Sequence, residues 1–228
     1  MAAVRTLDVE TPVGPARLHV HRAPRARALL VLGHGAGRGT DTADLLGLAR
    51  DLPAHGVAVV LVDQPWVLAG RRVAAPPPQL DQAWVASLAG VRCAAGVTRA
   101  VPLVVGGRSA GARVACRTAV AVGGDAVLLL AFPLVPPAAR NDPANRAKAV
   151  AARAAELAVP WAAGLPVVVA QGERDVFGTA ADVVAALPAA RAVPVPGADH
   201  SLAVAKGGPD PAPRLLEAAL TAVDLAAR

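Results

Sequence analysis

Tyrosine is missing from the 228 residues, phenylalanine occurs twice, and Trp66, Trp84 and Trp161 are the only large rings. That excludes a nucleic-acid reader built on aromatic stacking platforms. Two cysteines, Cys93 and Cys116, are too few for a disulfide framework or a zinc site. Both fall in stretches patterned as helices, where a free thiol packs as a small apolar group. Lysine is as scarce: Lys148 and Lys206 stand among 23 basic residues, the rest being dispersed arginines. The densest groups, Arg22, Arg25 and Arg27 and the pair Arg71 and Arg72, fall short of the basic runs that track phosphates. The net charge of +6 is therefore no nucleic-acid signal. No apolar run is long enough to span a bilayer, residues 126–134 being broken by Pro133. Met1–Glu10 carries Asp8 and Glu10 instead of an apolar leader core. The expectation is a cytoplasmic protein with neither a membrane nor a nucleic-acid partner; its oligomeric state is not legible.

Hydrophobic types make up 54% of the chain and 56 residues are alanine, so a core built on Ala, Val and Leu is amply supplied. The length suits one domain over residues 1–228. Strands are expected at 28–32, 57–62, 103–106, 126–132 and 166–171, with a last one near 192–194. Their near-continuous Val/Leu character is that of strands covered on both faces. Helices are expected at 42–52, 79–94, 110–122, 179–187 and 214–226. Strand and helix in alternation predict an α/β fold with a mostly parallel doubly wound sheet. Residues 5–9 and 16–21, joined around Pro12–Pro15, read as an antiparallel hairpin at its edge. Residues 64–78 read as a Pro-rich loop. Residues 133–161 read as a short helical, cap-like insertion, its alanine-rich part forming one helix over the sheet's carboxyl edge.

Open parallel sheets bind ligands beyond the carboxyl ends of their strands. After 103–106 comes Gly107-Arg108-Ser109-Ala110-Gly111, leading straight into a helix. This is the G-x-S-x-G nucleophile elbow, in which small neighbours let a strained turn raise the serine above the sheet. A plain glycine-rich turn with Ser109 as a helix cap is the alternative. After 28–32 comes Gly33-His34-Gly35-Ala36-Gly37-Arg38-Gly39. Two backbone N–H groups are needed to hold an oxyanion, and those of Ala36 and Ala110 are assigned to it, with His34 shaping its loop. The dinucleotide fingerprint fails in register, because its third glycine falls on Arg38 or Thr40.

This motif carries its partners in the order serine, acid, histidine. His19, His21, His34 and His55 all precede Ser109, which leaves His200 in Gly197-Ala198-Asp199-His200-Ser201. Among the acids between them, Asp125 enters a strand at the wrong end, Asp142 and Glu156 lie in the insertion, and Asp182 is inside a helix. Asp199 adjoins His200, and adjacent side chains face apart. Asp175 in Gln171-Gly172-Glu173-Arg174-Asp175 is the choice, with Glu173 second; its work is to fix the imidazole tautomer and stabilise the imidazolium.

With these residues in place the chain resembles the α/β-hydrolase superfamily, in its dienelactone-hydrolase-like branch. It is most similar to the small family containing a testis-expressed protein and the third subunit of the nonspecific-lethal chromatin complex. The resemblance is carried by Leu32 to Gly37, by Pro65-Trp66 through Gly70-Arg71-Arg72, and by Gly106 to Arg113. Phe132-Pro133-Leu134 with Pro136-Pro137, Gln171 to Asp175 with Phe177-Gly178, and Gly197 to His200 complete it. It implies a hydrolase fold and a Ser109–Asp175–His200 triad. It departs from dienelactone hydrolases proper in having serine where they use cysteine.

The expected activity is that of a serine hydrolase cleaving a carboxylic ester or related acyl bond of a small molecule, with no cofactor or metal. A non-catalytic interaction module on the same fold is the alternative, and a phosphate binder at Gly33–Gly39 a third. The short insertion predicts small acyl groups. Arg71, Arg72, Arg140 and Arg146 read as solvated surface before they read as receptors for an anionic substrate.

Overall fold

The computed structural model of the protein describes residues 4–136 and 142–228. Val/Leu runs supply the inner strands: β3 (Ala28–Gly33), β4 (Val57–Asp63), β5 (Leu103–Arg108), β6 (Ala126–Leu130) and β7 (Val167–Gly172). Flanking them are β1 (Arg5–Val9) and β2 (Ala16–His21) on one side and β8 (Arg191–Val195) on the other. The sheet runs β1-β2-β4-β3-β5-β6-β7-β8. From β4 to β8 it is parallel, while β1–β2 is an antiparallel hairpin whose β2 also pairs antiparallel with β4.

The period-two pleat gives each inner strand two buried faces. In β3, Leu29 and Val31 join one core while Ala28, Leu30 and Leu32 join the other. The first core is covered by α2 (Pro65–Leu68), α3 (Pro77–Leu88), α4 (Val91–Ala95), α5 (Ala110–Thr118), α6 (Pro143–Ala162) and α7 (Ala180–Ala186). The second is covered by α1 (Ala43–Asp51) and α8 (Ala212–Ala226). Alanine abundance is spent here: Ala112 and Ala115 of α5, Ala119 just past its end, and Ala218, Ala219 and Ala222 of α8 are fully buried. Their small side chains let helix backbones approach the sheet, and the larger Val and Leu beneath contribute about 1.5–3 kcal/mol each.

The structure departs from the sequence reading at four places. The expected 79–94 helix is two, α3 and α4, because the chain turns at Gly90 (φ −108°, ψ 7°). The segment read as a Pro-rich loop contains α2, started by Pro65 at a position where the missing N–H costs nothing. Strand β6 stops at Leu130, since Ala131 sits at φ +48°. The helix expected in the insertion forms as α6, but it packs on the first face, against α5 and the core through Leu157, Ala154 and Ala158, instead of over the sheet's carboxyl edge. Pro137 and Arg140 lie outside the described residues.

Candidate active site

Ser109 stands between β5 and α5 at φ +53°, ψ −106°, a strained backbone for a residue with a side chain. Its N–H donates to the Leu130 carbonyl of the neighbouring strand (2.9 Å). Glycine is compulsory on both sides. A Cβ on Gly107 would come within 2.6 Å of the Gly33 carbonyl oxygen, and one on Gly111 within 2.7 Å of Gly33 and 2.8 Å of the His34 carbonyl. The elbow is thus wedged against the end of β3, where the oxyanion-candidate loop begins.

His200 arrives from beyond β8. Ser109 Oγ lies 3.0 Å from His200 Nε2, and His200 Nδ1 lies 2.8 Å from Asp175 Oδ2. The carboxylate side chain is fully buried. It accepts hydrogen bonds from Gln171 Nε2 (2.9 Å) and the Phe177 N–H (2.8 Å) as well. These donors aim the carboxylate at Nδ1, so the Nδ1–H donates to Asp175 and Nε2 faces the hydroxyl as an acceptor. The Phe177 ring meets the imidazole edge-on at 4.4 Å. Gly172 is what lets the histidine loop settle on the end of β7: a Cβ there would lie 2.5 Å from the Ala198 carbonyl oxygen.

Glu173, the second choice of acid, and Asp199, set aside as the neighbour of His200, make other contacts. Glu173 accepts from the Gly197 N–H (3.0 Å), pinning the turn before His200. Asp199 caps Ser201, accepting from its N–H (2.8 Å) and hydroxyl (2.6 Å); the hydroxyl bond is the main cause that holds Asp199 below the usual carboxylate range.

Ala36 and Ala110 line one small crevice, together with Gly33, His34, Gly35 and Gly111. The Ala110 N–H is the first of α5, where unpaired amides and the helix dipole favour negative charge. His34 fixes the other side. Burial pushes its imidazole below the ordinary value, so it is neutral. Nε2 accepts from the Gln64 N–H (3.0 Å), which leaves the proton on Nδ1 to donate to the Gly35 carbonyl (2.8 Å). In a trans peptide the carbonyl and the following N–H point opposite ways, so holding Gly35 O sets the direction of the Ala36 N–H. Gly37 has open space around its Cβ position.

Several contributors were missed from the sequence. Gln171, fully buried, accepts from the Phe132 N–H (2.9 Å) and donates to Asp175 and to the Gly178 carbonyl (2.6 Å), locking the loops after β6 and β7 together. An amide in the otherwise apolar run of β7 is a readable signal. Arg108, expected as a loop residue, extends from the elbow to Asp44 of α1 (3.3 Å) and donates to the His200 carbonyl (3.2 Å). Arg71, Arg72 and Arg146 are exposed. Cys93 is exposed and Cys116 buried, its thiol pushed up by desolvation. Among the described residues no cluster could hold a metal ion, and no helix is long and apolar enough to cross a membrane.

The profile of a family described as an alpha/beta hydrolase domain matches residues 26–224. Similar solved structures include Est1E from Butyrivibrio proteoclasticus with ferulic acid bound, at TM-score 0.72 and 14% identity, covering 96% of this chain and 99% of that one. A dienelactone hydrolase from Anabaena variabilis matches at TM-score 0.69 and 17% identity, covering 98% and 96%. An α/β serine hydrolase without a lid from Xanthomonas campestris matches at TM-score 0.63 and 19% identity, covering 89% and 88%. No curated protein matches the sequence. At these identities the structural likeness establishes the fold.

Proposed function

The chain belongs to the alpha/beta hydrolase family, and from that premise we propose that it is a serine hydrolase cleaving a carboxylic ester or related acyl bond of a small molecule. The single observation that carries the reading is the relay from Ser109 Oγ to His200 Nε2 to Asp175, at 3.0 and 2.8 Å. Ser109 attacks the acyl carbon while His200 Nε2 takes its proton. Asp175 stabilises the imidazolium and keeps its orientation. The oxyanion that forms is held by the N–H groups of Ala36 and Ala110. His200 then protonates the departing alkoxide, and water attacks the acyl-enzyme by the same proton route in reverse.

The finer placement, within the small family containing the testis-expressed protein and the chromatin-complex subunit, is supported by the order of the segments that carry the resemblance. Pro65-Trp66 through Arg71-Arg72 and Gln171 to Asp175 flank the proposed nucleophile on either side. Activity separates a hydrolase from an interaction module on the same fold. Wild type should hydrolyse p-nitrophenyl acetate and react with a fluorophosphonate at Ser109. Ser109→Ala should lose labelling and about 10⁵-fold or more in rate; equal turnover by the two proteins defeats the proposal.

A further inference from the structure

We infer that Trp66 is the residue that sets acyl-chain length, closing the site to all but short acyl groups. The inference rests on the reading of Ser109 as an acyl-transfer nucleophile and adds the class of substrate. The crevice beside Ala36 and Ala110 has a volume of about 10 Å³, room for a group the size of one water or one methyl. Trp66 and Gln64 line it, and the same two residues line a second hollow of about 320 Å³ that extends to Pro15, Leu68, Ala75 and Arg71. One indole and one amide therefore partition a space that, joined, would receive a chain of many carbons. The partition is fixed in place. Trp66 is 5% exposed, its ring meets His34 edge-on at 5.3 Å, and its carbonyl accepts the Arg71 N–H at 3.0 Å. The Gln64 amide donates to the Leu80 carbonyl (3.2 Å). An acetyl group stops short of this wall; a longer acyl chain must displace it, at about tenfold or more in kcat/KM for the first methylene that meets it.

The test is the kcat/KM series for p-nitrophenyl acetate, butyrate, hexanoate and octanoate in wild type, Trp66→Ala and Trp66→Leu. Ratios of kcat/KM within one preparation are unaffected by a loss of folded protein, and fluorophosphonate labelling reports the competent fraction. Wild type should favour acetate over octanoate by at least about 100-fold. Trp66→Ala should raise the octanoate-to-acetate ratio by at least about tenfold, and Trp66→Leu, which keeps part of the apolar contact, by less. Wild type turning over octanoate as well as acetate overturns the inference and needs no variant. So does a labelled, acetate-active variant whose chain-length profile is that of wild type. Wild type that neither labels nor hydrolyses any of these esters brings down the acyl-transfer reading itself, and this inference with it.

Discussion

Single atoms decide the geometry around Ser109. Ser109 holds a backbone that costs roughly 1–3 kcal/mol, and only hydrogen-sized neighbours at 107 and 111 permit it. Adding a methyl in Gly111→Ala drives a carbon into backbone atoms of Gly33 and His34, which cannot rotate aside. Stability measured by urea titration should fall by about 1–3 kcal/mol, and kcat should fall further than the folded fraction explains, because the displaced loop carries Ala36. Gly47→Ala, on α1 with nothing within 4 Å of its Cβ position, should instead stabilise by about 0.5–1 kcal/mol. His34 makes a prediction in pH. Burial lowers its folded pKa below the 6.5 of a free imidazole, so the unfolded chain takes up this proton before the folded one does. Its penalty is absent above pH 6.5 and grows as the pH falls below it. Tm should therefore decline on acidification from pH 6.5, and His34→Gln should make the decline shallower.

Between elements, the pair Arg108–Asp44 joins the elbow, α1 and the histidine loop. Asp44 is nearly buried and Arg108 mostly so, which makes an unpaired partner costly. In Asp44→Asn the guanidinium loses its acid and the His200 carbonyl loses a directed donor. The expected result is a loss of roughly 3 kcal/mol in stability and a fall in kcat with KM little changed. Arg108→Lys should fail to rescue, since a single ammonium cannot imitate a fork that reaches an acid and a carbonyl together. A KM rise with kcat intact would contradict this assignment.

Over the whole molecule, helices on the first face are tied by Glu156 of α6, which binds Arg113 in a two-point bridge (2.7 Å each) and approaches Arg117 and Arg153. Arg117 is also paired with Asp81 of α3 (2.6 Å). Three half-buried guanidinium groups thus share one carboxylate across α5 and α6. Neutralising it in Glu156→Gln leaves them facing each other. The expected cost is about 1–2 kcal/mol, or a fall of about 3–6 °C in Tm for a chain of this size. Raising the ionic strength should narrow the gap between variant and wild type, because salt screens the repulsion.

The local chemistry of the chain determined a good deal by itself. Unbroken Val/Leu runs announce strands buried on both faces, and Gly107 to Gly111 announces a turn that only small neighbours allow. With one histidine after Ser109 and one acid well placed after an inner strand, the meeting of His200 with Ser109 and Asp175 was readable. What tertiary structure decided is who meets whom. Asp44 and Arg108 are neighbours because β5 lies beside β3 with β4 on the far side; nothing in the periodicity of either segment encodes that order. Gln171 showed itself as a polar residue in an apolar strand, but its partner Phe132 is brought to it only when β6 and β7 pair. The break at Ala131 and the part played by Trp66 as a wall were invisible for the same reason, whereas Gly90 is a local breaker that the pattern 79–94 overran. Side-chain periodicity reports which face of an element is buried, whereas strand order and loop packing decide which distant atoms share that face.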